Sequence, residues 1–264
     1  MDLDGTLLDK EGRIPERNRE ALREAASRGV VVALASGRMT DCIAPFAREL
    51  GLDCPIIAYN GGMVRLSERD RRERIFHRPL EAALGREIVE FCRGRYQLNF
   101  YLDDRLYAED SSALRPWAEL YSRQTGARYT FLPSLEPLAS SDPTKLILIT
   151  TPAERDRLHD EWVERLAGKA TIVKTNPEYL EFLNLRADKG VALLALAKRL
   201  GIEPADVMAL GDGDNDAPML RAAGLGVAMA NATPLAKAAA REVSRLAHHE
   251  CAVAEAIERH VLGQ

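Results

Sequence analysis

Three short stretches of the chain are apolar without polar alternation, and each runs into a polar or glycine-rich edge. Val30–Ala35 leads into Ser36-Gly37-Arg38, Pro55–Tyr59 into Asn60-Gly61-Gly62, and the run closing at Leu210 into Gly211-Asp212-Gly213-Asp214-Asn215-Asp216. Strands buried on both faces read this way, because helices cover both sides of a parallel sheet. Punctuated helical patterns lie between them. One begins at Pro15, carries Ala21, Leu22, Ala25 and Ala26, and ends at Gly29; others span Thr40–Leu50, stopped by Gly51, and Lys189–Leu200. Asp206–Leu210 is the next predicted strand, followed by a helix over Ala217–Ala223, a strand over Gly224–Met229, and helices over Pro234–Ala240 and Ala252–Val261. This order predicts an α/β fold with a doubly wound, mostly parallel, Rossmann-like sheet whose ligands bind at the carboxyl ends of the strands.

From Pro79 the rhythm changes. A helix over Glu81–Arg95 leads into adjacent strands, Tyr96–Leu102 and Arg105–Ala108, that turn at Asp103-Asp104. After a helix over Ala113–Gln124 and a Pro/Ser-rich loop from Pro133 to Pro143 comes a second unit of similar style. It reads as a strand over Lys145–Thr150, a helix over Ala153–Ala167, and strands over Ala170–Thr175 and Tyr179–Leu185 about Asn176-Pro177-Glu178. Hairpins and helices without long parallel alternation predict an α+β module with its own sheet. It is inserted at 80–185 into a core formed by 1–79 and 186–264. Trp117 and Trp162 have apolar neighbours at helical spacing and are expected in the core of that module.

The N-terminus adds chemistry to this frame. Asp2 and Asp4 stand two apart and are followed by Gly5-Thr6. At a strand end, extended backbone sends both carboxylates to one side, while Gly5 lets the chain turn and offer its N–H to an anion. A metal and a phosphate are served together by such a stretch. Only Met1 precedes the pair, so the first core strand is expected to be truncated, the chain as given beginning inside it.

Composition narrows the partners. With 264 residues, 46% hydrophobic and 29% charged, the chain has material for a sizeable core or two. A net charge of -4 and a pI near 5.8 argue against a nucleic-acid or anionic-membrane surface. The run from Arg69 to Arg74 is mixed in sign and is read as a solvated hairpin rim. No run approaches the ~18 apolar residues of a membrane span, and no leader pattern is visible, so a soluble, cytoplasmic protein is expected. Cys42, Cys54, Cys92 and Cys251 are scattered without C-x-x-C pairing, which predicts reduced structural thiols rather than a zinc site or disulfides.

Four motifs then appear in order, each at a predicted strand or helix edge: Asp2-Leu3-Asp4-Gly5-Thr6-Leu7-Leu8, Ala35-Ser36-Gly37-Arg38, Asp188-Lys189-Gly190 and Gly211–Asp216. Together they resemble the motifs of the haloacid dehalogenase (HAD) superfamily of phosphatases, over the whole chain. The insertion is similar to the C2 cap of Cof-type (subfamily IIB) members, and Tyr59–Gly62 and Gly226–Ala232 resemble their further signatures. Two stretches depart from the pattern. Where similar proteins carry an acidic Asp/Glu-Gly-Val-Ala, this chain has His248-His249-Glu250-Cys251-Ala252-Val253-Ala254, whose histidines are read as a surface turn. Asn184–Asp188 differs as well, in a way that concerns loop geometry rather than chemistry.

The resemblance implies a magnesium-dependent phosphomonoester hydrolase acting on a small phosphorylated metabolite, a sugar phosphate or a phosphorylated cofactor precursor. Asp2 is the implied nucleophile, forming an aspartyl-phosphate, and Asp4 the acid and base. The implied magnesium ligands are Asp2, the Asp4 carbonyl and Asp212, all hard oxygens, with Asn215 and Asp216 behind them and Asp214 in solvent. Ser36, Gly37 and Lys189 are implied phosphate contacts. Arg38 is read as either a substrate contact or an internal ion pair. Asn60 and Gly61, with Lys145, Glu178 and Glu181 in the cap, are substrate-binding candidates by position, a surface role standing equally for the three cap residues. Two rival readings remain: a phosphomutase using the same intermediate, and a non-enzymatic phosphoacceptor or binding protein if the first strand is truly missing. Neither the particular metabolite nor the choice of monomer or homodimer is legible.

Overall fold

The apolar runs and their flanking helices become the expected alternation in a computed structural model that describes residues 1–67 and 74–264. In chain order the first elements are α1 (Glu16–Ser27), β1 (Leu34–Ala35), α2 (Thr40–Leu50), β2 (Ile56–Ala58), β3 (Met63–Arg65) and β4 (Arg74–His77). Next come α3 (Ala82–Cys92), β5 (Gln97–Leu102), β6 (Arg105–Glu109), α4 (Arg115–Thr125), β7 (Tyr129–Leu132), β8 (Lys145–Ile149), α5 (Pro152–Arg165), β9 (Ala170–Lys174) and β10 (Tyr179–Asn184). The chain closes with α6 (Lys189–Leu200), β11 (Met208–Gly211), α7 (Ala217–Ala222), β12 (Leu225–Ala228), α8 (Pro234–Ala239), β13 (Glu242–Val243) and α9 (Ala252–Ile257). Two units result, 1–76 with 188–264, and 77–187. The mixed-charge run expected to form a hairpin rim lies outside the described residues except for Arg74, which opens β4.

In the first unit β1 and β2 pair in parallel, as do β11, β12 and β13, and β3 turns back antiparallel on β2. Extended Met1–Asp2 lies between the two groups. The Asp2 N–H donates to the Leu210 carbonyl (2.9 Å), the Ala35 N–H donates to the Met1 carbonyl (2.8 Å), and Asp2 bridges in parallel to Ala35. Asp2 therefore stands mid-sheet, beside the carboxyl ends of β1 and β11. Alanine-rich packing brings the helices close: Ala35, Ile57, Ala209 and Ala228 of the sheet meet Ala192, Leu196, Met219, Leu220 and Ala236. On the first loop's side, buried Asn18 of α1 donates to the Leu7 carbonyl (3.2 Å) and accepts from Ala254 N–H of α9 (3.0 Å).

The strand expected over Val30–Ala35 is corrected to two residues. Pairing starts only where Met1 reaches Ala33 and Pro55 reaches Leu34, and Val30 and Val31 are 41% and 47% exposed. Strands β3, β4, β7 and β13 were not anticipated. Each is two to four residues long, too short for a period to show, and exists because a neighbouring strand offers its edge.

The second unit is a six-stranded sheet ordered β7-β6-β5-β8-β10-β9. Asp103 and Asp104 both take positive φ, 49° and 62°, the twist that a two-residue hairpin between β5 and β6 requires. One face, with Leu98, Phe100, Leu146, Leu148, Leu180 and Phe182, packs under α3 and α5. Trp162 is fully buried there, edge-on to Phe182 and Phe91, whereas Trp117, also expected in the core, is half-buried on α4. No disulfide links the cysteines, and no helix is long and apolar enough to cross a membrane, among the described residues.

Candidate active site

The first loop is built around its apolar positions. Fully buried Leu3 and Leu7 anchor a single wide turn that the Leu8 N–H closes on the Leu3 carbonyl (3.0 Å). Gly5, at the turn's centre, has φ +80°, and a Cβ there would stand 2.3 Å from Asp212 Oδ2. Gly5 thus permits both the turn and the close approach of the Asp212 loop. Gly5→Ala is expected to cost about 1–2 kcal/mol from the left-handed backbone alone, and to displace Asp212. Thermal unfolding with and without a divalent cation will show both losses.

Lys189 is the electrostatic centre. It opens α6, which an ammonium at that end disfavours, but Asp188 caps the helix by accepting from the Val191 N–H (2.7 Å). The Lys189 Nζ, with no solvent exposure, donates to Asp2 Oδ1 and to Asp216 Oδ1, each at 2.6 Å. Burial alone would lower the Lys189 ammonium, but the two carboxylates more than offset it and hold it above the ordinary lysine range. Burial also pushes the Asp2 carboxyl above its usual range, against the pull of Lys189 and with Asp216 and Asp212 adding to the push. The Asp212 carboxyl is raised mainly by its own burial, against a hydrogen bond from Thr6.

Asp2, Asp212 and Asp216 place carboxylate oxygens within 4.8 Å of one another. One ammonium faces three carboxylates, all hard oxygen donors, and the group suits a divalent cation. Asp216 spends Oδ2 on the amides of Asp212 and Gly213 (2.9 Å each) and Oδ1 on Lys189, and so stands behind the other two as their support. Asp4 is not in this group. Its carboxylate, 57% exposed, takes a two-pronged bond from Arg38, Nε to Oδ2 at 2.9 Å and Nη2 to Oδ1 at 2.5 Å. Arg38 thus makes an ion pair, its guanidinium fork matching the carboxylate edge, at a position exposed enough that the pair and a substrate contact both stand as readings.

The remaining expected residues surround this centre. Buried Ser36 directly follows β1, its Oγ accepting from the Arg38 N–H (3.2 Å). Gly37 lies against the Asn60 side chain, whose Oδ1 accepts from Asn215 Nδ2 (2.9 Å). Asn60 and Asn215 thereby tie the β2 edge to the β11 edge. Gly61 is buried with φ +91°, and a Cβ would meet the Asp188 carbonyl at 2.1 Å, so it serves the close packing that seats Lys189. Asp214, expected in solvent, is exposed and accepts from Thr233 Oγ1 (2.6 Å). In the second unit Lys145 and Glu181 form a buried ion pair at 3.1 Å, and Glu178 is half-buried.

Three residues were missed. Thr6 Oγ1 donates to Asp212 Oδ1 (2.8 Å); Asn231 Nδ2 donates to the Gly5 carbonyl (2.9 Å) and lies 3.3 Å from Asp212 Oδ2. His248, read as part of a surface turn, is half-buried and contacts the Leu8 carbonyl through Nδ1 (2.6 Å), while His249 is exposed. Thr6 and Asn231 sit inside motifs already noted, yet no spacing connects positions 6, 231 and 248 to Asp212.

The sequence profile of the haloacid dehalogenase-like hydrolases matches residues 1–257. The chain belongs to this family. This HAD-like hydrolase is 32% identical to the putative phosphatase YxeH of Bacillus subtilis (strain 168) over 276 residues, spanning 100% of this chain and 98% of that one. It is 30% identical to the 5-amino-6-(5-phospho-D-ribitylamino)uracil phosphatase YwtE of the same organism, over 100% of this chain and 98% of the relative. The crystal structure of TM0651 from Thermotoga maritima superposes with a TM-score of 0.87 at 33% identity, covering 98% of this chain and 95% of that one. The expected family and the α/β fold are both borne out.

Proposed function

We propose that this HAD-like phosphatase is a magnesium-dependent phosphomonoesterase acting on a small phosphorylated metabolite through an aspartyl-phosphate. The observation that carries the reading is the buried Asp2 carboxylate, 2.6 Å from Lys189 and grouped with Asp212 and Asp216. Asp2 attacks phosphorus and expels the alkoxide; Asp4 gives that oxygen its proton and then takes one from the water that cleaves the acyl phosphate. Ser36 and the Gly37 N–H offer donors to the phosphoryl oxygens, and Lys189 adds positive charge beside the nucleophile. Asp2, the Asp4 carbonyl and Asp212 would hold the metal, with Asn215 and Asp216 behind them. Magnesium, when bound, offsets charge on the phosphoryl oxygens. Unit 77–187 acts as the cap that selects the leaving group. The phosphoribityl compound in the name of YwtE supports a sugar or polyol phosphate, or a phosphorylated cofactor precursor, as substrate class.

The test is phosphate release from a panel of phosphorylated metabolites, with magnesium and with a chelator. Chelator-sensitive release supports the reading; no release, or transfer of the phosphoryl group back to a sugar only with a bisphosphate activator, overturns it. Asp4→Asn is expected to lower kcat by about 10²–10⁴-fold while leaving magnesium binding largely in place, checked by steady-state kinetics beside calorimetric titration.

A further inference from the structure

Asn231 has no part in the chemistry above, yet both ends of its amide are engaged at the acidic centre. Its Nδ2 donates to the Gly5 carbonyl at 2.9 Å and stands 3.3 Å from Asp212 Oδ2, while its Oδ1 accepts from the His248 N–H at 2.9 Å. The His248 ring in turn meets the Leu8 carbonyl at 2.6 Å through Nδ1, which must carry the proton because a carbonyl only accepts. Gly5 and Leu8 are the middle and the end of the turn that carries Asp4 and Thr6. The segments after β12 and before α9 therefore grip this turn at two carbonyls. On the other side of Asp212, Thr6 donates to Oδ1 at 2.8 Å, so neutral donors approach both oxygens of that carboxylate.

We propose that Asn231, itself oriented by His248, is a positioning residue that fixes the Asp212 carboxylate and the first loop in the arrangement a divalent cation needs. The inference rests on the magnesium reading above. Donors behind a metal-binding carboxylate set its plane, and losing one typically weakens the metal about 10–100-fold. An amide suits the position, since an aspartate there would set a further negative charge against Asp212 Oδ2. The histidine in the stretch that departs from similar proteins acts on Asn231 through its main chain: the ring, held on the Leu8 carbonyl, fixes the backbone whose N–H meets Asn231 Oδ1.

The experiment titrates magnesium calorimetrically into metal-free protein, without substrate, for the parent, Asn231→Ala, Asn231→Asp, His248→Ala and His248→Asn. Hydrogen exchange of residues 3–8 and 212–216 is followed on the same metal-free samples. Asn231→Ala and Asn231→Asp are expected to weaken magnesium by roughly 10–100-fold, with faster exchange in both segments. His248→Ala shifts both readouts in the same direction. His248→Asn, whose amide nitrogen falls where Nδ1 stood, restores them toward the parent. A structural role alone would lower the melting temperature and leave magnesium affinity unmoved; that result, or Asn231→Ala with parental affinity and exchange, overturns the inference. Equal behaviour of His248→Ala and His248→Asn overturns the part assigned to His248. A parent that binds no magnesium overturns the metal reading instead, and the exchange comparison still decides for or against the brace.

Discussion

Asp2→Asn is expected to reduce kcat by about 10⁴-fold or more while the protein remains folded. The substitution keeps an oxygen that accepts from Lys189 and keeps the volume, so the buried contact at 2.6 Å survives. What it removes is the proposed nucleophile and with it the proposed covalent intermediate. Removing one negative charge from a group of three carboxylates also relieves repulsion, so the unfolding midpoint should stay near that of the parent. The measurement pairs phosphate release with a search for acid-stable phosphoprotein by mass spectrometry under turnover. Full metal-dependent hydrolysis by Asp2→Asn would sink the assignment of Asp2.

Lys189→Met should have the largest effect on stability. The ammonium is fully buried and is the shared partner of Asp2 and Asp216, so its loss leaves two buried carboxylates facing Asp212 without it. Breaking a buried ion pair from one side costs about 3–5 kcal/mol. Asp216 also accepts from the Asp212 and Gly213 amides, so a shift of its carboxylate loosens the whole β11 edge. Urea denaturation reads the loss directly. Combining Lys189→Met with Asp216→Asn should recover part of it, because the second change removes one of the stranded charges; strictly additive losses would show that the two groups are not coupled. Phosphate release should fall in the single variant as well, since the lysine both neutralises and orients Asp2.

These residues separate what the chain announces from what it conceals. The helices over Thr40–Leu50 and Lys189–Leu200 were legible to the residue, because each has an apolar face and a glycine in the left-handed conformation just after it. The polar and glycine-rich ends of three strands were legible for the same local reason: unbroken apolar runs stop abruptly at residues that must face solvent or a ligand. That placed Ser36, Asn60, Asp212 and Asp216 at the carboxyl ends of strands, whereas Asp2 and Asp4, preceded only by Met1, were placed by their two-residue spacing before Gly5-Thr6 and by the resemblance of that motif. By contrast, β13 and β7 left no periodic trace, and the strand expected over Val30–Ala35 was limited by how far its neighbours pair.

Sequence alone therefore determined the α/β alternation, the inserted module and the set of chemical groups at the sheet edge, since each depends on short-range pattern and on residue type. Tertiary structure alone decided how those groups are partnered. Arg38 fell to Asp4, Lys189 to Asp2 and Asp216 together, and Asn231 and His248 to the turn around Gly5. Such pairings join positions 34, 187, 27, 226 and 240 residues apart. Hydrogen bonds depend on angstrom-scale distance and angle, which local spacing cannot encode across separations that only the packing of α6 and of the loops around β11 and β12 brings together.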